Sequence, residues 1–578
     1  MRFTPPLVVV SALALFAACS EPLDPTSTPM EAITANQSSV SVSQIIPSPD
    51  SIGVGQVDTL SQKLTDGKTT WYGQNCTWSV SDASIASITN HDGGWKGDQG
   101  ILKGLKTGTV TVTVRTQFGT SKSISVRVVA SGGSSGGSSS GTTIYPGTSI
   151  QSKVNSYPGG TTFYLKSGVH RLQTITPKTG DSFIGEAGTV ISGARVLTGW
   201  TRSGSYWYVG NQTQQAPTKG TCSSGYSGCI YPEDLFINGV MLQHVTSLSQ
   251  VSSTKWYFDY GANKIYIGTD PSGKTVETSV LQVAFNGTAS NVTIRNLTVE
   301  KYAVPADLGA IYPTGGSGWV VDGVTIQYNH GGGIKMNNGM HLINSHINNN
   351  GLQGIASYQV SNLLVQGNEI AYNNNAHYDP FWSGGGTKFY STKYLTVTGN
   401  NVHHNYGKGL WTDHENQYVT YSNNTVTDNA HQGILHEISY DAVIKNNTVL
   451  RNGFQDVGGY AGAGISLTCS SNVEITGNTV SGNAHGIFVR QYNRGSGSQG
   501  FYQVKNLYVH DNTVTMSTGA SGMLQNIGDN SYYTSKNNRF VHNTYYLNGM
   551  AKPFYWMNNT QSVSGWKNYG QDVTGTFK

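Results

Sequence analysis

In the second half of the chain, pairs of aliphatic residues recur with one residue between them: Leu363/Val365, Leu395/Val397, Val473/Ile475 and Leu507/Val509. Such alternation predicts short strands with one buried face. Each pair is followed three residues later by an asparagine: Asn368, Asn400, Asn478 and Asn512. Asn424 and Asn447 continue the series, and a branched residue stands two places after each asparagine, at Ile370, Val402, Val426, Val449, Val480 and Val514. A second asparagine falls five places after the first at Asn373, Asn405, Asn429, Asn452 and Asn483. Val324 and Ser345, followed by Asn329 and Asn350, extend the pattern backward, and Gly333, Gly354, Gly409 and Gly433 open the next strands.

The tightest spacings are 21 (324 to 345), 23 (345 to 368), 24 (400 to 424) and 23 (424 to 447); gaps of 32, 31 and 34 carry inserted loops. A repeat of this length with three short strands per turn predicts an all-β, right-handed parallel β-helix over 143–578. Stacked coils put equivalent residues about 4.8 Å apart, close enough for one asparagine amide to bond the next. Asparagine also tolerates a left-handed corner, so the ladder residues are expected to turn the chain. No stretch shows the 3.6 period of a helical solenoid, and leucine is not the repeated residue of a leucine-rich one.

The rest divides by texture. Residues 143–290 are expected to cap the β-helix and to hold a small insertion around 196–280. A Gly/Ser linker spans 131–142, and a small alternating-strand domain spans 38–130, as in TVTVTVRT. A polar, Pro-rich tether covers 20–37. In the first 19 residues, Arg2 precedes an apolar run too short to span a bilayer, ending at Cys19. The ending Ala17-Ala18-Cys19 resembles a bacterial lipobox, which implies export and lipidation at Cys19, periplasmic or cell-surface; Phe16 departs from the usual leucine. In 38–130, Gly55, Trp78, Ser81-Asp82, Gly104 and Gly108 resemble bacterial Ig-like group 2 (Big2) domains, implying a small β-sandwich that serves as a spacer or binding module.

Composition narrows the function. Charged residues are only 11% and the net charge is +4, which gives no reason to expect a nucleic-acid partner. High Gly and Tyr counts suit an extracellular β-protein, here expected to be a monomer. Cys222 and Cys229 close a short loop and are expected to form a disulfide in an oxidising compartment. Cys76 and Cys469 fall in apolar strand patterns and are expected to be buried thiols. No CxxC pair is present, and no metal site is assigned.

One face gathers chemistry. Asp413 and Glu437 each lie four residues after a glycine, Gly409 and Gly433, on neighbouring coils. By alternation they point outward, while Thr412 and His436 point inward. Lys388, one coil earlier, has outward parity with its register open by about two residues. Two carboxylates about 5 Å apart raise one another's pKa, and a lysine beside them holds one ionised, which suits acid/base catalysis. The competing reading is a self-satisfied surface charge ladder. The loops Asn374 to Gly384, Phe454 to Gly462 and Gln491 to Gln503 would wall this face. Trp382 and Trp411, then Tyr378, Tyr390 and Tyr440, are candidates for stacking on sugar rings. His403, His404, His414, His431 and His436 crowd the same coils, and His414 and His436 are taken as candidate proton carriers. Asp379 and Asp456 are loop carboxylates, solvated or metal-binding.

The stretches NHGGGIKM, NNNGLQGIA, GGTKFYST, GLWTDHEN and GILHEISYDAVIKNN resemble bacterial right-handed β-helix repeat proteins, as do YPEDLFINGV and GQDVTGTF. The fold relatives include pectate and alginate lyases, epimerases and glycoside hydrolases, which implies a polysaccharide partner. One similar lyase group places a lysine base one coil before an arginine; Lys388 fits, but Thr412-Asp413 stands where the arginine would be. Three functions follow as alternatives. The first is a glycoside hydrolase with no cofactor. The second is a lyase or epimerase using a Lys or His base, with calcium as its candidate cofactor. The third is a non-catalytic carbohydrate-binding or surface protein.

Overall fold

The computed structural model describes residues 40–129, apart from short gaps within 47–118, and residues 141–578. The expected signal, tether and lipidation site at Cys19, and most of the linker, lie outside the described residues. The chain forms two compact units, Met1–Gly136 and Gly137–Lys578. In the first, a five-stranded and a four-stranded sheet enclose a core that includes Leu60, Trp78, Leu102, Val112 and Val126.

The second unit is a parallel β-helix of three sheets with 13, 13 and 12 strands. One coil shows the plan. Ser361–Gln366 belongs to the first sheet, Glu369–Ala371 to the second and Gly385–Tyr390 to the third. The aliphatic pairs point inward, Leu363 onto Leu395 and Val365 onto Val397 in register, and they join one continuous core.

Both asparagine ladders are hydrogen-bonded coil to coil. Asn400 Nδ2 donates to Asn424 Oδ1 at 2.9 Å, and Asn424 Nδ2 to Asn447 Oδ1 at 2.9 Å. The second ladder runs Asn373, Asn405, Asn429, Asn452 in the same way. The corner is not turned by the ladder asparagine itself, contrary to the sequence expectation. Positive φ falls on the residue before it: Gly367, Gly399, Asn423 and Asn446. That residue faces solvent at Asn423, whereas Asn424 is buried. A GN or NN pair therefore divides two tasks, backbone turning first and buried amide bonding second. The strand-opening glycines have a packing cause: a Cβ at Gly409 would stand 2.9 Å from the Asn429 amide nitrogen.

The ends are closed differently. The helix Ile150–Ser156 covers the first coils with Ile150 and Val154 buried. At the other end Asp572 terminates the first ladder, accepting from Asn543 Nδ2 at 2.9 Å and from Trp566 Nε1 at 3.1 Å. An insertion leaves the β-helix between Ala194–Val196 and Val276–Ser279; its eight-stranded sheet has its own core around Trp256, Phe258 and Ile265.

Candidate functional site

The outward face of the third sheet carries the charges. Leu410–Asp413 and Ile434–Glu437 pair in register, Leu410 with Ile434, Thr412 with His436 and Asp413 with Glu437. Leu410 and Ile434 are sealed in the core, so Asp413 and Glu437 emerge side by side. Lys388 pairs with neither carboxylate. The register of Phe389 on Thr412 and Tyr390 on Asp413 sets Lys388 opposite Trp411, two positions earlier. Its long side chain closes the gap, with Nζ 3.0 Å from Asp413 Oδ2 and 2.8 Å from the Trp382 carbonyl.

Each carboxylate has its own cation. Arg494 Nη1 lies 2.8 Å from Glu437 Oε1, and Trp411 Nε1 donates to Glu437 Oε2 at 3.2 Å. Burial pushes the Asp413 carboxyl above the usual carboxylate range; Lys388 opposes this and the Glu437 charge adds to it. The pair therefore differs in environment, which is how two like groups divide acid and base roles.

A third cation, Lys408, lies in the turn before Leu410 and is 4% exposed. Its Nζ is 2.8 Å from the Pro380 carbonyl and 4.2 Å from the Trp411 ring centre. Burial pulls its pKa down to about 8, with Glu437 and Asp456 resisting. His431 lies near Asp456, Nδ1 to Oδ2 3.6 Å; burial, then Lys408, drops its pKa to about 3.

All three inserted loops reach this face. The first supplies the Pro380 and Trp382 carbonyls, the second Asp456 and the third Arg494. The third loop is pinned by Glu415, which accepts from Ser498 N at 3.1 Å and from the Tyr502 hydroxyl. The first loop leans on the insertion, where Asp379 N donates to Thr221 O at 2.8 Å. Cys222 and Cys229 are joined there, Cα atoms 5.7 Å apart, and Cys76 and Cys469 are buried thiols.

Several sequence expectations need correction. His436 is fully buried, its Nδ1 2.7 Å from Thr412 Oγ1 and its Nε2 3.2 Å from Tyr440 O, so it is an interior residue and not a proton carrier to substrate. Burial lowers its pKa to about 4. Tyr378 and Tyr440 are also buried and have no face for a sugar. Trp411 is 3% exposed with Lys388 and Lys408 over its ring, so it supports charges and does not stack on substrate. Tyr390 is sandwiched between Tyr358 at 5.2 Å and His414 at 4.8 Å, which leaves its edge and hydroxyl. His414 is held by that stack. His403 and His404 belong to another face, where His403 meets Glu369. Trp382 stays half-buried, packed on Tyr378. On the first loop the exposed ring is Phe381, 65% accessible, T-shaped on His431. Asp379 caps its own turn, accepting from Phe381 N at 2.8 Å. Among the described residues, no three His, Cys, Asp or Glu side chains converge as a metal site.

The family described as right handed beta helix region matches residues 309–462, which cover the first wall and both carboxylates. The fold is thus a right-handed parallel β-helix. No curated protein matches the sequence. Among solved structures, XylC with xylose is similar at 15% identity and a TM-score of 0.55, covering 69% of this chain and 80% of that one. The A-module of the Azotobacter vinelandii mannuronan C-5 epimerase AlgE6 shares 15% identity at a TM-score of 0.42, covering 74% and 93%. PfbA, a surface adhesin of Streptococcus pneumoniae, shares 12% at 0.34, covering 65% and 88%. At 15% identity the likeness to XylC speaks of the fold alone.

Proposed function

We propose that the protein is an exported enzyme that hydrolyses glycosidic bonds in an extracellular polysaccharide. The observation that carries this reading is the in-register pair Asp413 and Glu437, one raised by burial and the other held by Arg494 and the Trp411 indole. Carboxyls on adjacent coils lie about 5 Å apart, the separation of retaining glycosidases. Asp413, protonated, gives its proton to the leaving glycosidic oxygen. Glu437 attacks the anomeric carbon and forms a glycosyl ester. Asp413 then takes a proton from water, which displaces Glu437 with net retention. Trp382 and Phe381 supply the wall against which sugar rings would lie.

The test is a polysaccharide panel read for new reducing ends and for ultraviolet-absorbing unsaturated ends. We expect reducing ends alone, with Asp413→Asn and Glu437→Gln each lowering kcat at least ~10²-fold. Full activity in both variants would remove the pair from the mechanism.

One observation favours a second reading, elimination or epimerisation on a uronate. Arg494, its side chain 39% exposed beside Glu437, would neutralise a sugar carboxylate, with Lys388 beside Asp413 as the base. Unsaturated ends, or a changed uronate composition, lost in Lys388→Met, would select it. Binding to glycans with no turnover would select a carbohydrate-binding surface protein. The lipid anchor at Cys19 belongs to the same reading and is tested by fatty-acid labelling, expected to vanish in Cys19→Ala.

A further inference from the structure

One concave space lies away from the carboxylates. A cavity of about 370 Å³ lies between the insertion and the β-helix, lined by Tyr226, Gln243, His244, Thr254, His330 and His377 among others. That volume is within the range of small-molecule sites. Three features bear on what it holds.

First, its walls are fixed. His330 is buried, with Nδ1 3.0 Å from Asp234 and Nε2 2.6 Å from the Cys229 carbonyl, and the Cys222–Cys229 bridge ties that loop. Second, one buried polar atom has no protein partner. His244 is 8% exposed, its ring stacks on Trp256 at 4.1 Å, and its Nδ1 bonds nothing. Buried polar atoms are normally satisfied, so an orphan on a cavity wall calls for a ligand or water. Third, Tyr226 and His377 stack at 3.8 Å and line the cavity together.

The polarity points to an uncharged, hydroxyl-rich ligand. Asp234 and His330 neutralise one another, and burial lowers the pKa of both His244 and His377, leaving them neutral at pH 7. A neutral imidazole nitrogen either donates or accepts, and a hydroxyl answers both tautomers, as it does the Gln243 amide and the Thr254 hydroxyl. We propose that this cavity binds a neutral sugar residue, as a second carbohydrate site separate from the Asp413–Glu437 pair. It shares the first inserted loop with that site: His377 lines the cavity, and the Trp382 carbonyl five residues on holds Lys388.

The test is calorimetric titration of the full-length protein with D-xylose, D-glucose, D-galactose, D-mannose and D-glucuronate. At least one neutral sugar is expected to bind, with D-glucuronate at least tenfold weaker. His244→Phe keeps the stack on Trp256 and removes the nitrogens; His377→Ala removes the lining ring that Tyr226 stacks on and sits on a loop. Each is expected to weaken binding at least tenfold with an unchanged unfolding midpoint. The double variant Asp413→Asn, Glu437→Gln is expected to bind the sugar as the native protein does, whatever its effect on turnover. No neutral sugar binding, equal binding of D-glucuronate, affinity unchanged in both cavity variants, or loss of binding in the carboxylate double variant would each overturn the proposal.

Discussion

At the scale of single residues, the charges are arranged so that one group can be moved without the others. Lys388 is the main opponent of the burial that raises Asp413, and its ammonium also lies over Trp411. Lys388→Met keeps the stem that packs there and removes the charge. On the hydrolase reading Asp413 must be protonated, so activity falls as pH rises through its raised pKa. Without Lys388 that pKa climbs further, and the alkaline limb of the kcat/KM profile is expected to move to higher pH. A limb that stays put, or moves down, would show that Asp413 is not the acid. His330 titrates the other way. Burial alone would lower its pKa, but Asp234 and the Cys229 carbonyl outweigh it and leave it raised. Its cationic form therefore stabilises the fold below about 6.5, and that contribution is lost as pH rises through the folded pKa. The native unfolding midpoint is expected to drop over that alkaline range, and His330→Gln, lower throughout, to show no such drop.

At the scale of elements, the asparagine pairs separate two costs. Asn424 is buried, donating to Val397 O at 3.0 Å and Asn447 Oδ1 at 2.9 Å, and accepting from Asn400. Asn424→Ala strands several of these groups at about 1–3 kcal/mol each, so a loss of at least ~3 kcal/mol is expected. Asn423, exposed at φ 56°, turns the chain, and Asn423→Gly should cost no more than ~0.5 kcal/mol. Denaturant unfolding of the two variants distinguishes the roles; equal losses would show that the pair acts as one. The ladder was legible in the sequence because each coil repeats it. So was the outward pairing of Asp413 with Glu437, since alternation from two core glycine-strand starts fixes parity. The burial of Tyr378, Tyr440 and Trp411 was not, because it is imposed by inserted loops and by the disulfide segment, which no repeat encodes. Arg494 was invisible for the same reason: it lies 57 residues from Glu437 on a loop of its own. Lys408 carried a faint signal, a lysine between Gly407 and Gly409 at a strand entry, where small neighbours let a long side chain fold onto the face.

At the scale of the whole molecule, stability and chemistry belong to one unit. The β-helix core runs without interruption from Ile144 to Trp566, while the N-terminal sheets close on a separate core. Every group of the carboxylate site and of the sugar cavity comes from the second unit. A solenoid also needs both ends covered, since each coil contacts only its neighbours, and both covers, the helix Ile150–Ser156 and the Asp572 terminus, lie within it. A fragment of residues 141–578 is therefore expected to fold alone, to keep the main unfolding transition within about 2 °C, a shift that corresponds to less than ~2 kcal/mol for a unit of this size, and to retain full turnover on any soluble glycan the whole protein cleaves. Calorimetry of the full chain should show a second, smaller transition that the fragment lacks. The opposite cut is more demanding. Ending the chain after Asn543 removes Asp572, Trp566 and the strand Phe554–Trp556, and so leaves the Asn543 amide and the last core layer open to water. An exposed coil of unpaired strands is a template for another chain. That truncation is expected to aggregate where 141–578 stays monomeric in sedimentation. A monomeric, stable product ending at Asn543 would mean that the repeat closes itself and that the C-terminal cover serves some other purpose.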